Sequence, residues 1–200
     1  KIMNLLQETK FLTDGYKHAE GYVIATELTC SIFTEILELT EATSVFEIGF
    51  NYGHSAFTWL SLNDELKLAS IDIGRYKHTH INATKLEEKF GDRFKFTAQN
   101  SRHAKPSDLV GYDLFWIDGD HSNHGLSADL NLGNAAESKY ILIDDYCNGI
   151  KNTNLGVGRL ITLVEHYLAK DDFPYTFVKV YNYDCNSGKN PMALLKRDDA

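Results

Sequence analysis

The stretch Ser44-Val-Phe-Glu-Ile-Gly-Phe-Asn-Tyr-Gly-His-Ser55 decides the fold. Val45, Phe46 and Ile48 are the β-branched and aromatic residues that a buried strand prefers, and Ala56, Phe57, Trp59 and Leu60 recur at spacings that suit one helical face. Between the two runs, Gly49 and Gly53 mark a strand-to-helix turn. Glycine lets a backbone bend sharply and lets a ligand come close, and the helix opened by Ser55 begins with unpaired N–H groups. At the carboxyl end of a parallel strand such a turn suits a nucleotide-like small molecule. From these residues alone, an ordinary βα turn tightened by glycines is the other reading.

Glu47-x-Gly49-x-x-x-Gly53-x-Ser55 departs from the dinucleotide fingerprint: Ala56 is tolerable as its third small residue, but the spacing of the first two glycines is wrong. The pattern resembles the first motif of the class I S-adenosylmethionine methyltransferases, in which the glycine turn passes the methionine part of the cofactor. That resemblance implies a cofactor site made by Glu47, Gly49, Asn51, Tyr52, Gly53 and Ser55.

The rest of the chain supports an alternating α/β layout. Residues 1–18, with Tyr16, Lys17 and His18, read as a lead-in or a helix lying across the site, and Val23, Ile24, Leu28, Ile32, Phe33, Ile36, Leu37 and Leu39 form a helical stripe between Glu20 and Thr40. Lys67–Ile73 reads as a second strand ending at Asp72, 19 residues beyond Gly53. An acidic residue about 20 positions downstream accepts hydrogen bonds from ribose hydroxyls in βαβ cofactor folds, although a solvated strand-end carboxylate fits the same spacing. His80–Phe90 is helical with Gly91 as C-cap, and Arg93–Ala98 is a third strand whose end, at Asn100 and Ser101, is the expected adenine side of the pocket. Tyr112–Ile117 and Lys139–Ile143 are the fourth and fifth strands, separated by a helix over Leu126–Ala136. A helix from about Leu155 to Leu168 and two strands, Tyr175–Tyr183 and Met192–Lys196, close the chain; with no helix between them, the last two make an antiparallel hairpin. The expectation is an α/β, doubly wound, mostly parallel sheet, seven-stranded by resemblance, with helices on both faces, in one domain over 1–200 whose first 40 residues are a helical lead-in or lid.

Composition narrows the partners. In 200 residues with 43% hydrophobic content there is enough apolar material for one sizeable core. A formal net charge of -8 disfavours nucleic acid, whose phosphates are held by clustered Lys and Arg. Cys30, Cys147 and Cys185 are odd in number and widely spaced, which fits reduced thiols in a cytoplasmic protein. No membrane-length apolar run or secretory core is visible; the chain opens on Lys1, so its true first residues are expected to lie outside it. A small-molecule substrate is expected, and a homo-oligomer is left open.

Asp118, Asp144 and Asp145 fall just past the ends of the fourth and fifth strands, so in an open α/β sheet they converge on the edge that carries the glycine turn. Clustered carboxylates repel one another and favour a hard cation, with oxygen-only ligands pointing to Mg²⁺. Taken singly, Asp144 as a helix cap and Asp145 as a solvated loop residue remain open. Ile-Asp-Gly-Asp-His121 followed by Ile-Asp-Asp-Tyr146 resembles the metal-dependent small-molecule O-methyltransferases, particularly the branch acting on sugar hydroxyls of macrolide and aminocoumarin antibiotics. The resemblance implies Mg²⁺ held by Asp118, Asp144 and Asp145, with Asp118 also lining the cofactor pocket. The catechol branch carries Asp-Asn where this chain has Asp144-Asp145.

An alcohol must lose its proton as it attacks a sulfonium methyl, and Asp120 and His121 are the candidate bases. His121 is preferred because an imidazole titrates near neutrality; a surface-loop or capping histidine is its plainer reading. Three rivals remain: a nucleotide-sugar glycosyltransferase using Asp118-x-Asp120, a non-catalytic S-adenosylmethionine-binding module, and an NAD-dependent oxidoreductase weakened by the glycine spacing.

Overall fold

The computed structural model describes residues 2–14, 22–152 and 156–198. Its centre is a seven-stranded sheet. Five parallel strands, β1 (Ser44–Ile48), β2 (Lys67–Asp72), β3 (Phe94–Ala98), β4 (Leu114–Ile117) and β5 (Tyr140–Ile143), are joined by the antiparallel hairpin β8 (Tyr175–Cys185) and β9 (Gly188–Arg197), in the order β3-β2-β1-β4-β5-β9-β8. The order reverses between β2-β1 and β4, the kind of switch point where open α/β sheets bind ligands beyond their strand ends.

Both faces of β1, β4 and β5 are covered, which is why these central parallel strands are apolar at most positions. Val45, Leu114, Trp116, Leu142 and Leu194 pack under α2 (Glu27–Thr40), α3 (His54–Leu62) and α4 (Lys77–Phe90). Their alternates Phe46, Phe115, Ile117, Ile141 and Leu195 face α5 (Asn123–Ala135) and α6 (Leu160–Leu168). Full burial of one such side chain stabilises by about 1.5–3 kcal/mol. Trp59 and Trp116 are both fully buried core residues, with Phe33 stacked 4.0 Å from Trp59.

Several boundaries differ from the sequence reading: α4 opens at Lys77 rather than His80, α5 at Asn123 rather than Leu126, and β4 at Leu114 rather than Tyr112. The α2 helix starts at Glu27 rather than Glu20, because Thr26 caps it, its hydroxyl accepting from the Thr29 amide at 3.2 Å. Val23, upstream, instead bridges to Cys185 on the hairpin. In the lead-in, α1 (Ile2–Glu8) and a 3-10 turn (Lys10–Leu12) bury Leu5 and Leu12, while Tyr16, Lys17 and His18 lie outside the described residues. The helix expected from Leu155, a residue outside the described ones, begins only at Leu160 (α6), and β6 (Asn148–Asn152) and β7 (Gly156–Arg159) form a separate two-stranded ribbon before it. The hairpin strands run on to Cys185 and Gly188, so most of the expected loop is paired.

At the amino-terminal edge one carboxylate fastens three strands. Asp113 accepts from the amides and hydroxyls of Thr43 and Ser44 at 3.0–3.2 Å and from Lys139 Nζ at 2.8 Å. Burial alone would raise its pKa, but these donors outweigh it and hold the group at about 2. Among the described residues, no helix is long and apolar enough to cross a membrane, and the three cysteines are free thiols.

Candidate active site

The parallel ladder runs one residue past each strand end. Gly49 N donates to Ile71 O at 2.8 Å, Asp118 N to Ile48 O at 2.8 Å, Asp144 N to Ile117 O at 2.9 Å and Gln99 N to Asp72 O at 2.7 Å. The glycine turn, Asp72, the Asp118 loop and the Asp144 pair therefore stand in one row along the carboxyl edge.

Close approach, more than cap chemistry, explains the glycines. Gly49 has φ +97°, and a Cβ there would lie 1.9 Å from the Asp118 carbonyl oxygen. Gly53, at φ +82°, precedes α3, and a Cβ would meet the Phe50 ring at 2.4 Å. Asp72 grips the turn: its Oδ2 accepts from the amides of Phe50 and Asn51, both at 3.0 Å, and its Oδ1 from Gly74 N at 2.8 Å. Asn51 sits in the left-handed region at φ +46°, and its Oδ1 lies 3.2 Å from His78 Nε2.

Glu47 and Tyr52 lie behind the turn. Glu47 is fully buried, accepting from the hydroxyls of Ser55 and Ser70, so Ser55 ties the start of α3 to β1. Burial pushes its carboxyl up to about 8, only partly opposed by the two hydroxyls. Tyr52 is buried with its ring stacked 3.9 Å from His78. Asn100 caps the turn Ser101–His103, its Oδ1 accepting from Arg102 N at 3.0 Å.

The acidic residues meet around His121. Its Nδ1 lies 2.5 Å from Asp145 Oδ2 and its Nε2 3.3 Å from Asp118 Oδ1, the latter an ion-pair distance rather than an aligned hydrogen bond. One donor atom each from Asp118, His121 and Asp144 falls within a 4.8 Å cluster. Burial, then the charges of Asp118 and Asp145, push Asp144 well above the carboxylate range. Burial alone would lower His121, but Asp118 and Asp145 outweigh it and hold the imidazole well above its ordinary value. Asp145 adopts φ +52°, an uncommon left-handed conformation that turns the chain sharply after β5. Asp120 turns elsewhere: its Oδ1 accepts from Ser122 N at 3.0 Å and its Oδ2 lies 3.4 Å from Arg102.

Sequence reasoning missed the contribution of the hairpin. Tyr183 donates to Asp144 Oδ1 at 2.8 Å and Asn190 Nδ2 to Asp144 Oδ2 at 3.2 Å. It also missed Asp129 of α5, 2% exposed, which burial raises to about 6. Neither belongs to a local motif; the signal for the first is strand register, and for the second an acid on the buried stripe of a helix.

The family model described as a methyltransferase domain matches residues 46–146, half of the chain. The chain belongs to the methyltransferase family. This class I S-adenosylmethionine-dependent methyltransferase shares its fold with Rv0187 from MTB, solved with cofactor bound, at TM-score 0.69 and 14% identity over 97% of this chain and 89% of that one. A candidate caffeoyl-CoA O-methyltransferase from Staphylococcus aureus aligns at TM-score 0.62 and 16% identity over 97% and 96% of the two chains. A candidate O-methyltransferase from Klebsiella pneumoniae aligns at 0.61 and 15% over 98% and 89%. A search of curated proteins finds no match for this methyltransferase.

Proposed function

We propose that this methyltransferase transfers the methyl group of S-adenosylmethionine to a hydroxyl of a small polyol-like or sugar acceptor with the help of Mg²⁺. The convergence of Asp118, His121, Asp144 and Asp145 beside the glycine turn carries this reading. Asp118, Asp144 and Asp145 would hold the ion: their oxygens are hard ligands, and their crowding at one partly buried point is the repulsion a divalent cation offsets. When bound, the ion orients and polarises the acceptor oxygens.

His121 takes the acceptor proton in this scheme once a bound cation offsets the acidic charges that otherwise hold the imidazole in its protonated form. With Nδ1 held by Asp145, the proton-accepting position is Nε2, which faces Asp118 and Asp144. As the O–H bond gives its proton to Nε2, the oxygen forms a bond to the methyl carbon and the carbon–sulfur bond breaks, leaving S-adenosylhomocysteine. Asp72 and the turn Gly49–Gly53 hold the cofactor side, with Asn100 and Ser101 toward adenine. The lead-in acts as cover: Asn82 Nδ2 donates both to Leu12 O at 2.7 Å and to Tyr52 O at 3.0 Å, joining the first residues to the cofactor turn. Asp120, engaged with Arg102 and Ser122, is the weaker base. The methyltransferase family match favours this chemistry over glycosyl transfer through Asp118-x-Asp120.

The test is conversion of S-adenosylmethionine to S-adenosylhomocysteine with a panel of sugars, polyols and catechols, with Mg²⁺ or EDTA. Turnover is expected only with Mg²⁺, and His121→Ala should lose about 10²- to 10⁴-fold while still binding S-adenosylhomocysteine. Full turnover in EDTA removes the metal from the scheme. Calorimetric binding of nucleotide-sugars without S-adenosylmethionine returns the case to glycosyl transfer.

A further inference from the structure

The hairpin meets the acidic cluster at one polar point. Ile143 pairs with Ala193, and Tyr146 N donates to Pro191 O at 2.9 Å, so antiparallel β9 delivers Asn190 to the segment just beyond the end of β5. Across the hairpin Tyr183 pairs with Asn190, and Asn190 Nδ2 lies 3.2 Å from the Tyr183 oxygen. The two side chains donate to different oxygens of Asp144, Tyr183 to Oδ1 and Asn190 to Oδ2. Tyr183 is 2% exposed, with its ring among core aromatics including Phe33. A phenylalanine would fill that space equally well, so the packing does not call for the hydroxyl.

We infer that Tyr183 and Asn190 are positioning residues for the cation site, fixing the rotation of the Asp144 carboxylate so that its remaining lone pairs face Asp118 and His121. This rests on the metal-binding reading above and goes beyond it by giving the antiparallel hairpin a part in the site. A carboxylate offers about four lone-pair positions, and one donor on each oxygen leaves the others aimed in one direction. Partners of this kind orient metal ligands, and losing one costs about 10- to 100-fold in metal affinity.

The experiment is a Mn²⁺ titration of the full chain followed by electron paramagnetic resonance of the free ion, on the unaltered protein and on Tyr183→Phe, Asn190→Ala, Asp144→Asn and Tyr181→Phe. Tyr181 lies two residues earlier on the same strand, so Tyr181→Phe makes the same chemical change away from the cluster. The expected result is Mn²⁺ affinity about 10- to 100-fold weaker in Tyr183→Phe and Asn190→Ala and unchanged in Tyr181→Phe. S-adenosylhomocysteine affinity should stay within about twofold throughout, since uninvolved sites leave one another's energetics nearly unchanged. Equal Mn²⁺ affinity in the unaltered protein and Tyr183→Phe overturns the inference and leaves the metal site standing. Parallel loss of both ligands also overturns it, because the hydroxyl would then serve the fold at large. If Tyr183→Phe does not fold, Asn190→Ala, at the half-buried rim, decides alone. If the unaltered protein binds Mn²⁺ no better than Asp144→Asn, the metal reading itself falls.

Discussion

At the scale of single residues, the glycine turn and the Asp118 loop are one object. A Cβ at Gly49 would meet the Asp118 carbonyl at 1.9 Å, backbone that cannot swing away, and the positive φ adds strain. Gly49→Ala is expected to destabilise by about 2 kcal/mol or more, read as a lower urea midpoint, and to lose S-adenosylhomocysteine binding. Glu47 gives a pH signature. Its folded pKa, about 8, lies above the unfolded value near 4.5, so folding favours the protonated acid. The stability tied to that proton is intact below the unfolded pKa and is lost as pH rises through the folded one. Glu47→Gln keeps a neutral side chain throughout, so the unaltered protein should lose about 3 kcal/mol relative to Glu47→Gln between pH 5 and 8, measured by urea unfolding at both ends.

At the scale of elements, the N-terminus of α2 is bound to the hairpin by the hydroxyls of Thr26 and Thr29, the latter accepting from Asp184 N at 3.1 Å. Thr26 Oγ1 caps Thr29 and donates to Asp184 Oδ2 at 2.6 Å on β8. Thr26→Ala should therefore cost about 1–2 kcal/mol in thermal denaturation. Thr34→Ala, on the same helix, removes only a bond to the Cys30 carbonyl four residues back and should be nearly silent. Elements also show how far the sequence could be read. Strands β1, β2, β4 and β5 were visible because each is a short apolar run ending in a carboxylate or glycine, and parallel strands bring such endings to one edge. The β6–β7 ribbon was hidden: Asn148-Gly-Ile-Lys-Asn152 and Gly156-Val-Gly-Arg159 carry too little apolar alternation to announce a strand. Tyr183 and Asn190 were hidden for another reason, since a hairpin's register against β5 is a long-range fact that no spacing encodes. Likewise Asp145 was grouped with the ligands on sequence, and only the folded chain sets its Oδ2 against His121.

At the scale of the whole molecule, a cation and a product nucleoside would be stabilising ligands. At a hundred times its dissociation constant, a ligand adds about 2.7 kcal/mol, or about 5–10 °C in Tm for a chain of this size. Mg²⁺ should raise the melting temperature of the unaltered protein by that order, and EDTA should reverse it. Asp144→Asn should remove the Mg²⁺ response and leave the metal-free melting temperature within a few degrees, because burial and the Asp118 and Asp145 charges already hold Asp144 as the uncharged acid. Differential scanning fluorimetry with and without the ion reads both effects.

The Asp113 clasp lies at the far margin from all of this chemistry. By gathering Thr43, Ser44 and Lys139 onto one anion, it pins the rear of three neighbouring strands like the spine of a book. The pages at the open side carry the pocket loops, so insertions or exchanges there can recast which acceptor fits without disturbing how the strands are bound together.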